Sequence, residues 1–422
     1  MKRIEAYENE IAVKASDYLH RGKGEGILQL CGRNGMGKTL LARKYSKDHQ
    51  ALYFSFRNID AAFAPKLFVP GCNDWQEFFG VVRSMKNRPV IFFDDMDDRN
   101  DKDILLEALP KWASFAYIVL IYRREVELPI KSDVMEMSPM DPAMLRRKNK
   151  KLTALDALRI IAVTDGIPAL VNQFDLEISF EENIRRNFVD GSLYLRYASD
   201  ELRREFRAPE TYNTLLYGMA TGHNRISQLA EFSGFPKNKC DKYLKALDAA
   251  GFLETEQKKD KSGNLRTRYY PRGGYFRTWY QSYFPRQDKF FEPLDDEMAL
   301  ELLLDIDEYI MPYYFRKCCW RWMRAFSDVL SWEWKLGRED PMRYDVTING
   351  VDFDFVQHDE DHDTYVKILS GVDEHFTYEM FRKIDAATTK VRPFYANMYY
   401  IFSLQRINPM LEKLLNYDNV IL

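Results

Sequence analysis

Short apolar runs of strand length alternate with helical stretches along the first third of the chain. The apolar runs are residues 26–31, 51–56, 89–95, 115–122 and 134–138. Residues 39–45 and 75–85 repeat apolar side chains at helical spacing, and residues 4–18 form an amphipathic helical pattern before the first run. Strands that alternate with helices predict an α/β fold over residues 1–141: a parallel, doubly wound sheet with its ligand at the carboxyl ends of the strands.

The pattern becomes helical and charged over residues 142–208, which predicts a helical lid. Residues 209–272 then have the pattern of three helices followed by a hairpin, and Gly234 separates the second helix from the third. This order is typical of a winged helix, whose third helix can enter a DNA major groove.

DNA contact by this winged helix is one interpretation of its charged side chains. The candidate contacts are Lys237, Asn238, Lys239, Lys242, Lys258, Lys259 and Lys261. Acidic side chains occur in the same stretch, at Asp241, Asp248, Glu254 and Glu256. Because those acids oppose a polyanion, a packing module that binds no DNA is the alternative.

A further α/β domain is predicted for residues 273–422. An aromatic-rich helix at residues 313–330 precedes two strands joined by Asn349-Gly350, a strong hairpin-turn signal. The remaining elements are strands at 363–369 and 398–402 and a helix at 376–390. A sheet flanked by helices is therefore expected from about residue 297 onward.

Composition limits the class of protein. A chain of 422 residues exceeds one ordinary core, and its hydrophobic content of 46% suffices for two to four packed domains. The net charge of −3 argues against a bulk polyanion binder. The five cysteines have no metal-ligand spacing, the N-terminus lacks a signal-peptide pattern, and no apolar run is long enough to span a membrane. A cytoplasmic protein with reduced thiols and no membrane partner is the expectation.

The sequence GRNGMGKT at residues 32–39 satisfies the phosphate-loop pattern G-x-x-x-x-G-K-[ST], between a predicted strand and a predicted helix. The residues expected to bind ATP or ADP here are Gly32, Arg33, Asn34, Gly35, Met36, Gly37, Lys38, Thr39 and Leu40. The glycines let backbone N–H groups converge on phosphate oxygens. Lys38 is expected to bridge the β- and γ-phosphates, and the Thr39 hydroxyl to hold Mg²⁺.

Two aspartates end the third apolar run, which is the arrangement of a Walker-B strand. Asp94 is expected to hold the Mg²⁺ shell. Asp95 is the candidate catalytic acid that orients the attacking water, although it is one methylene shorter than the glutamate usual in hydrolytic members of the superfamily. Arg123 or Arg124, after the fourth run, could sense the γ-phosphate, or both could be ordinary surface arginines.

A Gly-Ile-Pro turn at residues 166–168, behind the phosphate-loop domain, resembles the AAA+/STAND class of signalling ATPases. In that class the proline lies against the nucleotide near the base, so the resemblance implies this role for Pro168. An ordinary helix break is the alternative for this proline. The segment Arg268–Tyr280 also resembles the signature Y-x-x-x-D-x-[FY]-x-R-[FT]-W-Y of a large archaeal and bacterial ATPase family, with glycine in place of the usual acid.

Members of that family carry a C-terminal domain that is similar to PD-(D/E)xK restriction-type nucleases. The resemblance implies an Asp on the hairpin and an E-x-K on the next strand as Mg²⁺ ligands. Asp354 (or Asp352) matches the first, but Lys367 has no glutamate two residues before it. Since Asp352 and Asp354 alternate with apolar residues, both carboxylates are expected on one face, with Lys367 pairing with Asp354. An inert, nuclease-like domain is predicted.

The favoured interpretation is an ATP-binding, slowly hydrolysing AAA+/STAND-type molecular switch whose nucleotide state controls the winged helix and the C-terminal domain. A protein partner or self-association would carry the signal onward. The alternatives are an ATP-dependent DNA-binding regulator or defence module, and a nuclease effector that uses Asp354.

Overall fold

The computed structural model describes residues 26–49, 51–57, 59–97, 103–259, 265–292, 294–326, 343–358, 362–392, 396–415 and 419–421. The helix predicted over residues 4–18 and the hairpin tip with Lys261 lie outside them. The described residues form two compact units. One runs to Lys148 and includes Gly166–Asp175, and the other contains Asn149–Asp165 and the chain from Leu176 onward. The segment predicted as a helical lid is thus divided between the two units.

The strands are β1 Ile27–Cys31, β2 Leu52–Ser55, β3 Val90–Asp94, β4 Tyr117–Tyr122, β5 Asp133–Glu136, β6 Leu253–Lys259, β7 Leu265–Pro271, β8 Arg343–Ile348, β9 Val351–His358, β10 His362–Leu369, β11 Ala396–Ser403 and β12 Val420–Ile421. The α-helices are α1 Lys38–His49, α2 Ala64–Phe68, α3 Trp75–Arg83, α4 Asp103–Trp112, α5 Pro142–Lys148, α6 Ala154–Thr164, α7 Pro168–Val171, α8 Phe180–Asn187, α9 Leu193–Glu205, α10 Pro209–Ala220, α11 Ile226–Ser233, α12 Lys237–Ala249, α13 Gly273–Thr278, α14 Asp296–Asp305, α15 Met311–Phe326, α16 Tyr378–Thr388 and α17 Pro409–Leu414.

A five-stranded parallel sheet forms the centre of the first unit, in the order β2-β3-β4-β1-β5. The predicted parallel α/β sheet is confirmed. Strands β1 and β4 are buried along almost their whole length because helices cover both faces of such a sheet. Strand β4 lies between β1 and β3, so the carboxyl ends of these three strands meet at one edge.

Aromatic side chains pack around β2 and β3, on the side of the sheet away from β5. Phe54 of β2 and Phe93 of β3 lie against Trp75, at ring-centre distances of 5.4 Å each. Phe79 stacks on Trp112 with 3.6 Å between ring centres. The indole N–H of Trp75 donates to the carbonyl oxygen of Ala61 at 2.7 Å, so this buried polar group is satisfied. These contacts hold β2 and β3 in register beside each other.

Helix α6 lies at the centre of the helical part of the second unit. Its residues Ala157, Leu158 and Ile160 to Thr164 are buried. Arg159, on the same helix, binds the buried carboxylate of Asp307 through two nitrogens, at 2.9 and 2.5 Å. Helices α10, α11 and α12 follow in sequence, and strands β6 and β7 pair antiparallel after them. The predicted order of three helices and a hairpin is confirmed for the described residues.

The C-terminal part of the second unit contains a mixed five-stranded sheet in the order β12-β11-β10-β9-β8. The hairpin β8–β9 is antiparallel and lies beside β10, as predicted, while β10 and β11 are parallel. Helix α15 packs on one face through Cys319 and Met323, and α16 on the other through Phe381 and Ile384. A sheet flanked by helices is therefore present.

The predicted alternation along β9 is wrong. Phe353 packs in the cluster on the α16 face, whereas Phe355, two residues later, packs in the cluster on the α15 face. The regular two-residue period is broken at Asp354, whose carboxylate accepts a hydrogen bond from the backbone N–H of Ile368 at 2.7 Å. Opposite this position Asp345 has a left-handed backbone, with φ of 51°. A side chain thus takes the place of a strand carbonyl here.

Candidate functional site

The phosphate-loop sequence forms a tight turn between β1 and α1. Gly35 and Gly37 have φ angles of 79° and 91°, in the left-handed region that residues with a side chain rarely adopt. Helix α1 begins directly after them at Lys38 and continues to His49. Because the first N–H groups of a helix are unpaired and lie at the positive end of its dipole, this end of α1 favours an anion.

Lys38 is 8% exposed and lies over the loop. Its ammonium group donates to the carbonyl oxygens of Gly32 and Arg33, the latter at 3.0 Å. These contacts place a positive charge inside the curve of the loop. Phosphate oxygens bound by the loop would lie within reach of the same group.

Thr39 and Asp94, the two residues expected to hold Mg²⁺, are in direct contact. The Thr39 hydroxyl donates to Oδ2 of Asp94 at 2.6 Å. The same oxygen accepts from the hydroxyl of Tyr53 at 2.7 Å, and Oδ1 accepts from the N–H of Asp95 at 2.8 Å. Asp94 is only 3% exposed, and these three donors take the place of the water that a buried carboxylate lacks. A hydroxyl and a carboxylate this close are the oxygen donors that Mg²⁺ prefers.

Asp95 lies at the carboxyl end of β3 with a left-handed backbone, φ 61°. Its Oδ2 accepts a hydrogen bond from the hydroxyl of Ser55 at 2.8 Å. Since Ser55 belongs to β2, the edge strand on the far side of β3 from β1, this contact holds the carboxylate on the side away from the phosphate loop.

Tyr53 and Ser55 were not predicted from the sequence. They occupy alternate positions of β2, so both side chains lie on the same face of the strand, and each donates to one of the two aspartates. Burial, and then Asp94, raise the pKa of the Tyr53 hydroxyl. The available signal was two hydroxyl side chains at alternate positions next to the aspartate-bearing strand.

A cavity of about 450 Å³ lies beside the loop. It is lined by Asn34, Gly35, Met36, Gly37, Lys38, Thr39, Leu40, Leu41, Arg43, Met137, Pro168, Ala169 and Asn172. The backbone N–H of Ala169 donates to the carbonyl oxygen of Gly35 at 3.1 Å. The turn around Pro168 therefore borders the same cavity as the loop.

Arg123 lies elsewhere. Its backbone N–H donates to both carboxylate oxygens of Asp97, at 3.0 and 2.8 Å, and its Nε is 3.5 Å from Oδ2 of that residue. It does not line the cavity described above. Cys31, just before the loop, stays a protonated thiol because burial, with Asp97 and Glu125, raises its pKa to about 11.

The nuclease-type residues of the second unit are arranged differently from the prediction. Lys367 donates to the backbone carbonyl of Asp352 at 2.9 Å rather than pairing with the carboxylate of Asp354. Oδ1 of Asp354 lies 3.9 Å from Nε of Arg316, and burial raises the pKa of this carboxyl group. Across the described ranges, no group of three or more His, Cys, Asp or Glu residues could hold a metal ion.

The candidate DNA contacts of α12 are on its surface. Lys237, Asn238, Lys239 and Lys242 are exposed. The Lys239 ammonium lies 4.3 Å from the ring centre of Phe235. Within the part of the chain that is described, no helix has the length and apolar character needed to cross a membrane.

Residues 28–108 match the family model described as ATPase family associated with various cellular activities (AAA). The chain is 23% identical over 315 residues to an uncharacterized protein, MJECL04, of Methanocaldococcus jannaschii, across 67% of this chain and 70% of that protein. Among solved structures it is similar to the Walker-type ATPase PABY2304 of Pyrococcus abyssi, with 15% identity, a TM-score of 0.47, and coverage of 64% of this chain and 95% of that one.

A second solved structure with similarity is the ORC1 protein of Aeropyrum pernix in complex with DNA, with 13% identity, a TM-score of 0.36, and coverage of 68% of this chain and 93% of that one. A third is the STAND protein with a tetratricopeptide repeat sensor, PH0952, from Pyrococcus horikoshii, with 15% identity, a TM-score of 0.29, and coverage of 72% and 47%. Residues 28–108 are thus AAA-ATPase-like, and the five-stranded parallel sheet built around them is consistent with a P-loop NTPase.

Proposed function

We propose that the protein is an ATP-binding, slowly hydrolysing molecular switch of the AAA+/STAND type. The observation that carries this proposal is the 2.6 Å contact between Thr39 and Asp94, directly after a complete phosphate loop. The two residues are 55 positions apart in the chain, and the sheet brings them together because the phosphate loop and the aspartate-bearing strand end at the same edge.

Each group has a defined role in this proposal. The loop amides and the start of α1 would bind the phosphates, and Lys38 would bridge the β- and γ-phosphates. Thr39 and Asp94 would hold Mg²⁺, which supplies charge neutralisation to the phosphates when it is bound. Pro168, at the rim of the same cavity, would lie against the nucleotide near the base.

Slow hydrolysis follows from the position of Asp95. Its carboxylate is one methylene shorter than that of glutamate, and Ser55 holds it toward the edge strand. A carboxylate must lie within hydrogen-bond reach of the attacking water to orient it, and an error near one ångström costs a large factor in rate. Bound ATP would therefore persist, as a switch requires.

We propose that residues 165–168 transmit a change in the bound nucleotide to the rest of the chain. Gly166 accepts from the N–H of Met140 at 2.8 Å, and Ala169 donates to Gly35, so the turn follows the phosphate loop. Asp165, the preceding residue, accepts through Oδ1 from the N–H of Gly274 at 2.6 Å. Movement of the turn would thus reach the start of α13 through one peptide bond. Helices α10–α12 with β6–β7 would act as a winged helix, and the C-terminal sheet as an inert nuclease-like domain.

Calorimetric titration of the full chain with Mg-ATP tests the proposal. Lys38→Ala should weaken binding by about 100-fold or more, because the phosphates of ATP lose a buried cationic partner. Lys47→Ala, on the exposed end of the same helix, is the matched control and should bind as wild type does. Equal ATP affinity for wild type and Lys38→Ala would contradict the assignment.

DNA binding by α12 is the second candidate, favoured by its exposed Lys237, Lys239 and Lys242. The Asp241 carboxylate on this helix is paired with Lys245 at 2.7 Å, which reduces its repulsion of a polyanion. Duplex binding by the full chain should then fall with salt, and the slope should decrease by about 0.9 per lysine removed. The double variant Lys239→Ala/Lys242→Ala with unchanged affinity and slope would exclude this surface.

A further inference from the structure

The carboxylate of Asp94 is fixed by three donors from three parts of the first unit. Oδ1 accepts from the N–H of Asp95 at 2.8 Å. Oδ2 accepts from two hydroxyls at once, those of Thr39 at 2.6 Å and Tyr53 at 2.7 Å. The terminal torsion of an aspartate is broad, so a carboxylate held by fewer donors samples a range of orientations. Here both carboxylate oxygens accept hydrogen bonds, so the orientation of the carboxylate plane is fixed.

Tyr53 reaches Asp94 from the edge strand β2. It pairs with Phe92 in the strand register, two residues before Asp94, so its side chain extends toward the carboxyl end of the sheet. At that end of the sheet its hydroxyl donates to Oδ2 of Asp94 at 2.7 Å. The guanidinium carbon of Arg43, a residue that lines the cavity, lies 5.3 Å from the centre of its ring.

The two hydroxyls on Oδ2 differ in what else they can do. Thr39 lies at the start of α1, where its oxygen can bind a cation while its O–H group still donates to Asp94. Tyr53 approaches from β2, on the side of β3 away from β1 and the phosphate loop, so its contribution is the orientation of the carboxylate. A ligand oxygen must be held within a few tenths of an ångström for a small, rigid cation such as Mg²⁺.

We propose that Tyr53 is a positioning residue for the metal-holding carboxylate of Asp94 and that it acts through its hydroxyl group. This inference rests on the proposed function, since it assigns to Tyr53 a part in Mg²⁺ binding with ATP. A positioning role and a purely structural role of Tyr53 predict different results. Loss of the hydroxyl should affect the metal dependence of ATP binding and leave metal-free ATP binding unchanged.

The experiment compares ATP binding by Tyr53→Phe and by wild type, measured by calorimetry. ATP is titrated into each protein first in the presence of EDTA, without metal, and then at a series of Mg²⁺ concentrations. Metal-free affinity should be the same in both proteins. The Mg²⁺ concentration that gives half of the affinity gain should rise by about 10- to 100-fold, as is typical when a hydrogen bond that orients a metal ligand is lost. The control is Tyr45→Phe, a buried tyrosine of α1 that packs on Phe92 and should leave both values unchanged.

The possible results separate a positioning role of Tyr53 from a structural role and from failure of the proposed function. A wild-type Mg²⁺ requirement in Tyr53→Phe overturns the positioning role while the proposed function stands. An equal loss of affinity with and without metal assigns Tyr53 to the fold of the site and overturns it as well. Wild-type protein that binds ATP under neither condition overturns the proposed function and this inference together. Thermal melting of both variants verifies that the fold is retained.

Discussion

Ser55 holds Asp95 in place: the hydroxyl of the serine donates to Oδ2 of the aspartate at 2.8 Å. The left-handed backbone of Asp95, with φ of 61°, directs the side chain to that contact. Because β2 is an edge strand and the phosphate loop follows β1 on the other side of β3, this hydrogen bond restrains the acid that we propose orients the attacking water. The rate of hydrolysis is therefore expected to depend on a residue that touches neither phosphate nor metal.

Ser55→Ala should raise the steady-state rate of phosphate release by about 2- to 10-fold, because the carboxylate loses one hydrogen bond that holds it away from the water. Asp95→Glu should also raise it, since the longer side chain restores the usual reach. Asp95→Asn should stop turnover and keep ATP bound, because an amide is a poor base. Equal rates in wild type and all three variants would remove this pair from the mechanism.

Gly274→Ala tests the tight packing of α13 on α6. A Cβ at this position would lie 2.0 Å from the backbone carbonyl oxygen of Ala162, which cannot move without distorting its helix. The free energy of unfolding should fall by about 1–3 kcal/mol, as for other overpacked sites. Gly80→Ala is the contrasting control, because a Cβ there meets nothing within 4 Å on the exposed side of α3. That variant should gain about 0.5–1 kcal/mol. Urea unfolding of the full chain measures both.

The parallel sheet could be predicted, and a phosphate-binding loop proposed, because each element has a local signal. An apolar run of five or six residues identifies each central strand, and the loop motif fixes Lys38 and Thr39 by spacing alone. The two hydroxyl side chains at alternate positions, Tyr53 and Ser55, did not by themselves indicate a role. Their role depends on β2 lying next to β3, a neighbour relationship that sequence spacing does not encode.

The arrangement around Asp354 was missed for a different reason. The prediction assumed a strand of strict two-residue period, in which Asp352 and Asp354 share a face. A side-chain carboxylate that replaces a backbone acceptor breaks that period, and nothing in the residue types of β9 marks the break. Lys367 donates instead to the backbone carbonyl of Asp352, a contact that the assumed pairing of two side chains did not anticipate.

Glu254 should make stability depend on pH. Its carboxylate accepts from Tyr313 and Lys317, both at 2.5 Å, and lies 3.5 Å from Arg277. Burial raises its pKa, but Lys317, Tyr313 and Arg277 together outweigh burial and lower it below the ordinary 4.5. A carboxyl group with a lowered pKa in the folded state stabilises the fold above about pH 4.5, and this stabilisation is lost as the pH falls through the lowered value.

Glu254→Gln should therefore reduce the free energy of unfolding by about 1–2 kcal/mol at pH 7, and the difference from wild type should disappear in acid. The matched control is Glu379→Gln, in a Glu–Lys pair on the surface of α16 with side chains 79% and 67% exposed, which should change little. Urea unfolding at pH values from 7 down to about 2 measures the series and covers the window below the lowered pKa. A difference that stays constant below pH 4.5, or grows, would show that the charge of Glu254 is not what stabilises β6 against α15.

Asp354 should bind no metal and should matter for folding instead. Its Oδ2 is committed to the N–H of Ile368, a residue that is 6% exposed, so loss of the carboxylate leaves a buried donor without its acceptor. Asp354→Ala should lower the free energy of unfolding by about 1–3 kcal/mol. Asp354→Asn keeps an acceptor oxygen and should lose less. Calorimetric titration of the full chain with Mn²⁺ should give the same isotherm for wild type and both variants, and no cleavage of DNA or RNA is expected. A binding event present in wild type and absent from both variants would instead identify Asp354 as a metal ligand and restore the nuclease interpretation.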